Sequence, residues 1–325
     1  MTEVTYKQAI TQALADELEA DPDVILIGED IAAAGGVFKA TEGLFERFGP
    51  DRVRDTPISE QAIIGTTIGA SIQGLRPVAE IMFGDFSAVC FDGIANEMAK
   101  YRYMTGGQVS LPATIRLTVG AGGGFGAQHS QTVENWFLNV PGLKLVVPAT
   151  PADAYALLRA AIRDPDPVLY FEHKGLYNLK GELADPPVEL PLGRADVARR
   201  GDDVTVVATQ AMRHRAIQAA ESLADEGLSV EVIDLRTLVP LDLHAVQASV
   251  DRTNRLVVVQ ECPAGGSWGA TLIAALVADG FEALDAPPRL LASEDTPIPY
   301  SEVLEAAWIP SPDRIADAIR ATVAF

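Results

Sequence analysis

The stretch Asp55-Thr56-Pro57-Ile58-Ser59-Glu60 decides how the first half of the chain is arranged. Pro57 marks a turn, Ser59 is a residue type that caps helices, and residues 61–74 continue with the pattern of an apolar helix. This helix therefore opens with the carboxylate of Glu60. A carboxylate beside an apolar helix is only partly solvated, so the position suits an acid that transfers protons. The alternative is that Glu60 only complements the helix dipole.

Apolar strand patterns lie on both sides of this turn and helix. They alternate with helix patterns and cover residues 24–28, 77–82, 113–119, 143–147 and 168–172. Alternation at this spacing predicts an α/β fold, in which a parallel sheet has helices on both faces. Sites in such folds form at the carboxyl ends of the strands, where Glu29 and the segment after residue 119 lie.

The alternation stops between residues 186 and 202, where prolines accumulate and indicate a linker. A second, smaller α/β pattern then begins, with strands predicted at residues 204–208, 230–235 and 256–260. The sequence therefore predicts two parallel-sheet α/β domains, residues 1–185 and 203–325, joined by the linker 186–202.

Composition limits the classes of partner and compartment. The 325 residues carry a formal net charge of -20, which argues against a nucleic acid or an anionic membrane surface as partner but permits a basic protein. The sequence has no apolar run of the roughly 18 residues that span a bilayer, and its first residues lack a signal-peptide pattern. Cys90 and Cys262 are far apart. We therefore expect a cytoplasmic protein without disulfides.

Residues 120–127 are rich in glycine and precede His129. They can be aligned with the dinucleotide pattern G-x-G-x-x-A, but no acidic residue ends the next predicted strand, residues 143–147, to bind a ribose. We favour the interpretation that the glycines let backbone approach a ligand or another chain and hold His129 in place. The alternative is that His129 is an ordinary buried or exposed imidazole.

Motifs for other chemistries are missing from the sequence. It contains no phosphate-binding loop, no serine-hydrolase elbow and no zinc-protease helix. Its four histidines are scattered among predicted loops and helices, so we do not expect a metal cluster built on them.

Several stretches together resemble the β subunit of the thiamine-diphosphate-dependent 2-oxo acid dehydrogenase (decarboxylase) component, a relative of transketolase. The resemblance covers nearly the whole chain and lies in residues 55–60, 76–80, 99–103, 128–131, 141–144, 161–164, 234–237 and 296–299. It implies a transketolase-like pyrimidine-binding domain followed by a transketolase C-terminal-like domain.

The resemblance also implies roles for individual residues. Glu60 matches the carboxylate that bonds N1′ of the cofactor's aminopyrimidine and promotes its activation. Phe86 matches the aromatic residue that stacks on this ring, and Glu29 and Ile58 match positions near the cofactor. His129 matches the imidazole that faces the substrate. A potassium ion is implied at five further residues, mostly through backbone carbonyls: Ala113, Ala161, Ile162, Asp164 and Asp166.

One feature of the family is missing, the Gly-Asp-Gly…Asn motif that holds magnesium and diphosphate. The resemblance therefore implies that an α subunit holds both, within an α2β2 heterotetramer. It also implies a lipoyl acyltransferase partner and, through it, dihydrolipoyl dehydrogenase. Residues 281–325 contain eight acids and three bases, which would suit a basic docking domain.

The substrate is expected to be a small 2-oxo acid. Gln128 before His129 and residues 171–178 resemble the pyruvate and acetoin enzymes, whereas residues 132–136 depart from their pattern. A branched-chain 2-oxo acid dehydrogenase subunit and a non-catalytic assembly subunit stay open as alternatives.

Overall fold

The structure is a computed structural model that describes residues 2–186 and 188–325. Its chain forms two compact units. The first contains the chain up to Val119 and residues 136–192, and the second contains residues 120–135 and 193–325. Met1 of the predicted first domain and Pro187 of the predicted linker lie outside the described residues.

The first unit is built on a parallel sheet. Its strands are β1 (Thr2–Thr5), β2 (Val24–Gly28), β3 (Val53–Asp55), β4 (Arg76–Ile81), β5 (Thr114–Val119), β6 (Lys144–Val146), β7 (Val168–His173) and β8 (Lys180–Leu183). The sheet order is β6-β7-β5-β4-β2-β3, with parallel neighbours throughout, while β1 and β8 form a separate antiparallel pair. β2 is a wholly buried apolar strand, and β4 is buried except for Arg76, as expected for a sheet covered on both faces.

Arg116 of β5 ties the central strands together. Its Nε and Nη2 atoms lie 2.6 and 2.9 Å from the two carboxylate oxygens of Glu172 on β7, and its Nη1 lies 2.6 Å from a carboxylate oxygen of Glu80 on β4. Arg116 is only 2% exposed. Tyr177 donates a further hydrogen bond to Glu172. Removing Arg116 would leave two buried carboxylates without their cation, which is far more costly than losing a surface ion pair.

The described residues of the first unit form the α-helices α1 (Tyr6–Ala20), α2 (Leu44–Phe48), α3 (Glu60–Ile72), α4 (Tyr101–Met104) and α5 (Pro151–Arg163). α3 is the helix predicted after the 55–60 stretch, but Ser59 makes no side-chain cap hydrogen bond, because its backbone (φ -160°, ψ 88°) departs from cap geometry. α3 buries Ile63, Ile64, Thr67 and Ser71. Gly65 and Gly69 face open space, so only one face is packed in this chain.

The helical segment of residues 84–104 is broken into three parts. A 3₁₀ turn (Gly84–Ala88) is followed by a π-helical turn (Gly93–Met98) and then by the short α4. A glycine opens each of the first two parts, and glycine weakens regular helix. Gly93 also lies against α3, where a Cβ would come within 2.9 Å of Ile64 Cγ2.

The second unit has its own five-stranded sheet, in the order β14-β13-β10-β11-β9. Its strands are β9 (Asp196–Arg199), β10 (Val204–Ala208), β11 (Val230–Asp234), β13 (Leu256–Val259) and β14 (Arg289–Leu291), and the short strand β12 (Thr237–Val239) follows β11 in the chain. Its helices are α6 (Gln210–Ala224), α7 (Leu243–Thr253), α8 (Trp268–Gly280), α9 (Glu302–Trp308) and α10 (Pro312–Val323). β9 is antiparallel to β11, and the other pairings are parallel.

Two segments differ from the domain layout expected from sequence. The expected linker 186–202 contains β9, which pairs with β11 because its backbone completes the open edge of the second sheet. Residues 120–135, expected in the first domain, belong to the second unit, since their contacts lie there. Ala121, for example, is part of the second unit's apolar core together with Val257 and Ile309.

Candidate active site

The carboxyl ends of β2, β3 and β4 bring the acidic residues of the first unit together. Gly28 at the end of β2 pairs with Asp55 on one side and with Glu80 on the other. The N–H of Thr56 then donates to the carbonyl of Gly28 (N···O 3.0 Å), which fixes the turn that leads to α3. Glu29 follows Gly28 directly, so strand register places it beside this turn.

Glu29 and Glu60 form an electrostatically coupled acid pair. Burial raises the pKa of Glu29 above its ordinary value, and the nearby carboxylates of Asp30 and Glu60 raise it further. Burial also raises the pKa of Cys90 to about 12, with Glu60 adding to the rise, so this thiol stays neutral. An acid whose pKa is raised by its surroundings can hold a proton closer to neutral pH, which is the property a proton-transferring site needs.

Apolar groups lie near this acid pair in the chain. Ile58, in the turn before α3, is 77% exposed and offers a bare aliphatic side chain. Phe86 is half-buried, and its ring meets Phe83 edge-on at a centroid distance of 5.7 Å. Phe83 in turn packs edge-on against Phe38. The aromatic contacts hold these rings in place, as aromatic pairs of this geometry commonly do.

His129 lies in the segment 120–135 and therefore in the second unit. The structure thus assigns Glu29, Ile58, Glu60 and Phe86 to one unit and His129 to the other. His129 is half-buried. Glu261 holds this segment through two hydrogen bonds. Its side chain accepts one from the N–H of Ala121 (2.6 Å), and its backbone carbonyl accepts the other from the Thr132 hydroxyl (2.6 Å).

Glu134 is a buried acid on the same segment that the sequence did not single out. It is 3% exposed, and its Oε2 has no hydrogen-bond partner within residues 2–186 and 188–325. Burial raises its pKa to about 7, and the Glu261 carboxylate adds to the rise. The nearby Asn135 side chain donates to Cys262 Sγ and accepts from the N–H of Trp268. Isolated acids give no sequence signal of burial, which is why Glu134 could only be found in the structure.

Comparison with known proteins identifies the family. Residues 2–180 match the family described as Transketolase, pyrimidine binding domain, and residues 193–315 match Transketolase, C-terminal domain. Acetoin:2,6-dichlorophenolindophenol oxidoreductase subunit beta of Bacillus subtilis is 46% identical over 325 residues, which cover 96% of this chain and 95% of that protein.

Two further relatives are as similar over nearly their whole length. Pyruvate dehydrogenase E1 component subunit beta-2, mitochondrial, of Oryza sativa subsp. japonica is 44% identical, with coverage of 98% of this chain and 86% of that protein. The 2-oxoisovalerate dehydrogenase subunit beta of Bacillus subtilis is 44% identical, with 100% of each chain covered. The chain belongs to the family of 2-oxo acid dehydrogenase E1 β subunits. The predicted family and its two transketolase-like domains are thereby confirmed.

A solved structure supports the fold of this E1 β subunit. The chain described as "Split gene transketolase, inactive beta4 tetramer" superposes with a TM-score of 0.81, 23% sequence identity, and coverage of 99% of this chain and 98% of that one. At this identity the likeness concerns the fold alone, and it confirms the predicted α/β class.

The five residues predicted to bind potassium lie together around the end of α5, and three of their carbonyls and both carboxylates have protein partners. Val168 N–H donates to the carbonyl of Ala113, Asp164 N–H to that of Ala161, and Arg76 to that of Ile162. Lys144 Nζ lies 2.6 and 2.7 Å from the carboxylate oxygens of Asp164. Asp166 is bound by Arg102, and its carboxylate lies 3.6 Å from Lys144 Nζ.

Lys144 therefore takes the place of a cation at this cluster in the E1 β subunit. With Arg102 also present, protein cations already neutralise Asp164 and Asp166. A potassium ion at these carboxylates would have to displace Lys144 or share its oxygens, whereas a backbone carbonyl with one partner can still accept a second. The potassium site stays a prediction.

Among residues 2–186 and 188–325, no three or more His, Cys, Asp or Glu side chains are grouped so as to hold a metal ion. In the same described ranges, every helix falls short of the length or apolarity that crossing a membrane requires.

The buried carboxyl of Glu134 predicts a pH-dependent stability. Between its ordinary pKa of 4.5 and about 7, the folded protein keeps a proton that the unfolded chain has lost. The free energy of unfolding should therefore fall as pH rises through this window, by on the order of 3 kcal/mol in total. We expect Glu134→Gln to raise the melting temperature at pH 8 and to change it little at pH 5. If Glu134→Gln instead lowers the melting temperature equally at both pH values, the charge of Glu134 is not what destabilises the folded protein. Glu282→Gln, at an exposed position, is the control.

The Asp164 cluster predicts that stability depends on Lys144 rather than on potassium. Lys144→Met should cost about 1–3 kcal/mol, because it removes the ammonium from a largely buried carboxylate. Lys180→Met, which breaks an exposed pair with Glu3, should cost less than about 1 kcal/mol. Exchanging sodium for potassium chloride should leave the wild-type melting temperature unchanged. A potassium-specific rise in the wild type would contradict this; a rise only in Lys144→Met would show that the ion can replace the ammonium.

Proposed function

We propose that this chain is the β subunit of a decarboxylase that, together with an α subunit, carries out the thiamine-diphosphate-dependent oxidative decarboxylation of a 2-oxo acid. The acyl group would then pass to the lipoyl group of an acyltransferase. The observation that carries the proposal is the position of Glu60 at the start of α3, after the turn that the Thr56–Gly28 hydrogen bond fixes and close enough to Glu29 for its carboxylate to raise the pKa of Glu29.

The residues of the first unit suit the pyrimidine end of the cofactor. When bound, thiamine diphosphate supplies the reactive carbon that adds to the 2-oxo acid and accepts the electrons released with carbon dioxide. Glu60 would exchange a proton with N1′ of the aminopyrimidine ring, and its carboxylate is close enough to Glu29 to raise the pKa of Glu29. Ile58 and Phe86 would provide apolar surface for that ring. The fit rests on the donor set itself, which is an acid pair next to an exposed aliphatic side chain.

Magnesium and the diphosphate are proposed to be held by the α subunit, in an α2β2 heterotetramer. The family motif for both is missing from this sequence. The open face of α3, which includes Gly65 and Gly69, is the surface we propose for packing against another subunit. Small residues there would let the partner's backbone approach closely.

His129 is proposed to act on the substrate side, where an imidazole can donate or accept a proton during acyl transfer. For the substrate we propose pyruvate, with acetoin cleavage as a related possibility, because Gln128 precedes His129 as in those enzymes. A branched-chain 2-oxo acid is the second candidate, favoured by the full-length match to a 2-oxoisovalerate dehydrogenase subunit. Turnover of the assembled enzyme with each substrate would decide between them.

The central experiment tests Glu60 in the assembled enzyme. Glu60→Gln should leave assembly with the α subunit intact and lower turnover by roughly 10²–10⁴-fold, because the variant cannot transfer the proton. Glu97→Gln, an exposed acid in the same unit, is the control. Calorimetric titration of magnesium thiamine diphosphate should show tight binding to the complex and not to this chain alone.

Near-normal turnover of Glu60→Gln would remove the proposed role of this residue and favour a non-catalytic assembly subunit. Tight cofactor binding to the isolated chain would instead contradict the assignment of magnesium and diphosphate to the α subunit.

The second unit is proposed to dock the lipoyl acyltransferase, through which dihydrolipoyl dehydrogenase would join the complex. Tyr300, Val303 and Leu304 are exposed apolar side chains around Glu302 at the start of α9, and we call these four residues the α9 patch. The neighbouring acids Glu294 and Asp295 are also exposed. An apolar surface rimmed by carboxylates fits a basic docking domain.

Neutralising the acids around the α9 patch tests this docking. The variant Glu294→Gln/Asp295→Asn/Glu302→Gln should weaken acyltransferase binding roughly tenfold and reduce its salt dependence, because rim charges act over short distances. The control is Glu221→Gln/Asp225→Asn/Glu282→Gln, which changes the net charge of the same unit equally at other exposed positions. Unchanged affinity and salt dependence in the first variant, or equal loss in both, would contradict docking at the α9 patch.

A further inference from the structure

Glu305 of α9 holds the glycine loop that precedes His129. Its Oε1 accepts from the N–H of Gly122 (2.9 Å) and its Oε2 from the N–H of Gly124 (3.0 Å). Glu305 is 3% exposed. A buried carboxylate that accepts two backbone N–H groups makes charge-assisted hydrogen bonds, which are stronger than neutral ones.

The loop conformation that receives this carboxylate requires glycine. Gly122, Gly124 and Gly126 have φ values of +95°, +69° and +72°, in the left-handed region. Left-handed residues at alternate positions turn successive N–H groups toward one side and form an anion-binding concavity. In this chain the anion is an internal carboxylate. Gly126 also lies against Tyr300, whose ring is 3.3 Å from where a Cβ would stand.

The helix that carries Glu305 is itself fixed. Trp308 and Ile309 at its end are buried in the apolar core of the second unit, and Ala121 of the loop belongs to the same core. Trp308 Nε1 donates to the carbonyl of Glu294 (3.0 Å). Glu305 is therefore an anchor on a packed element, and it can hold the loop only in one place.

A second acid completes the attachment of the loop. Glu261 accepts from Ala121 N–H through its side chain and from Thr132 through its carbonyl. The anchor points at residues 121, 122, 124 and 132 thus lie on both sides of His129 in the chain. These hydrogen bonds restrain the backbone on both sides of His129, where the glycines would otherwise leave it free.

We propose that Glu305 is a positioning residue for His129, which it controls by fixing the backbone of residues 122–124. The proposal rests on the role of His129 given under Proposed function. Loss of Glu305 would let the loop move, and small displacements of a reacting group lower rates steeply. The effect should fall on acyl transfer. Cofactor binding should be spared, because the groups proposed to bind thiamine diphosphate lie in the first unit and in the α subunit.

The experiment compares Glu305→Ala, Glu305→Gln and His129→Ala in the assembled enzyme, with Glu282→Gln as an exposed control. Glutamine keeps one acceptor oxygen and should hold only one of the two amides. We expect kcat for acyl transfer to fall about 10–100-fold in Glu305→Ala and less in Glu305→Gln, with the dissociation constant of thiamine diphosphate within twofold of wild type. Backbone hydrogen exchange in a peptide covering residues 120–130 should be faster than in the wild type, and faster in Glu305→Ala than in Glu305→Gln.

A double variant separates positioning from general damage. If Glu305 acts through His129, then Glu305→Ala/His129→Ala should transfer the acyl group no more slowly than His129→Ala alone. Additive losses, or unchanged hydrogen exchange of the loop, would overturn the proposal. If His129→Ala transfers the acyl group at the wild-type rate, His129 does not have the proposed role, and the positioning proposal is wrong as well. If Glu305→Ala does not fold, the same comparisons are made with Glu305→Gln.

Discussion

The buried ion cluster of Arg116 with Glu80 and Glu172 is the interaction on which the proposed site depends. It joins three neighbouring strands of the first sheet, and Glu80 is the register partner of Gly28. Gly28 is followed by Glu29, so a shift in this register would move the acid pair. The cluster contains one more carboxylate than guanidinium, and burial raises the pKa of Glu80 although Arg116 opposes the rise. A cluster of this kind specifies one arrangement more than it adds stability, because partial pairing in a dry interior is costly.

Burial is the common cause of the unusual acids in both units, but its consequences differ. Glu29 is near the surface and has acidic neighbours, so its proton can be exchanged with a bound molecule. Glu134 is buried, and its Oε2 has no hydrogen-bond partner in the described part of the chain. Ionising this carboxyl is therefore costly, and its pKa is raised. The surroundings of Glu29 suit proton exchange with a ligand, whereas those of Glu134 mainly make the free energy of unfolding depend on pH. A raised pKa alone therefore does not identify a catalytic acid, and access to a ligand must be considered with it.

Much of the fold was predictable because it depends on local patterns. The strands ending at Gly28 and Val119 and the helix opening at Glu60 follow from short apolar runs and turn residues. What sequence could not provide were contacts between distant residues. Ser59 has the right identity for a cap but the wrong backbone, β9 pairs within the expected linker, and residues 120–135 belong to the second unit. Glu305 lies 181 residues from Gly124, one of the two amides it binds, and nothing in either local sequence links them.

The glycine loop shows how one pattern can have two physical explanations. Its spacing can be aligned with a dinucleotide motif, in which backbone N–H groups would receive a phosphate. In the structure, the Gly122 and Gly124 N–H groups are taken by the Glu305 carboxylate and that of Ala121 by Glu261. A phosphate at this position would be repelled by two buried carboxylates, and the N–H groups that would bind it already have these carboxylates as partners. The same left-handed glycines that bind anions in other proteins are used here to attach a loop.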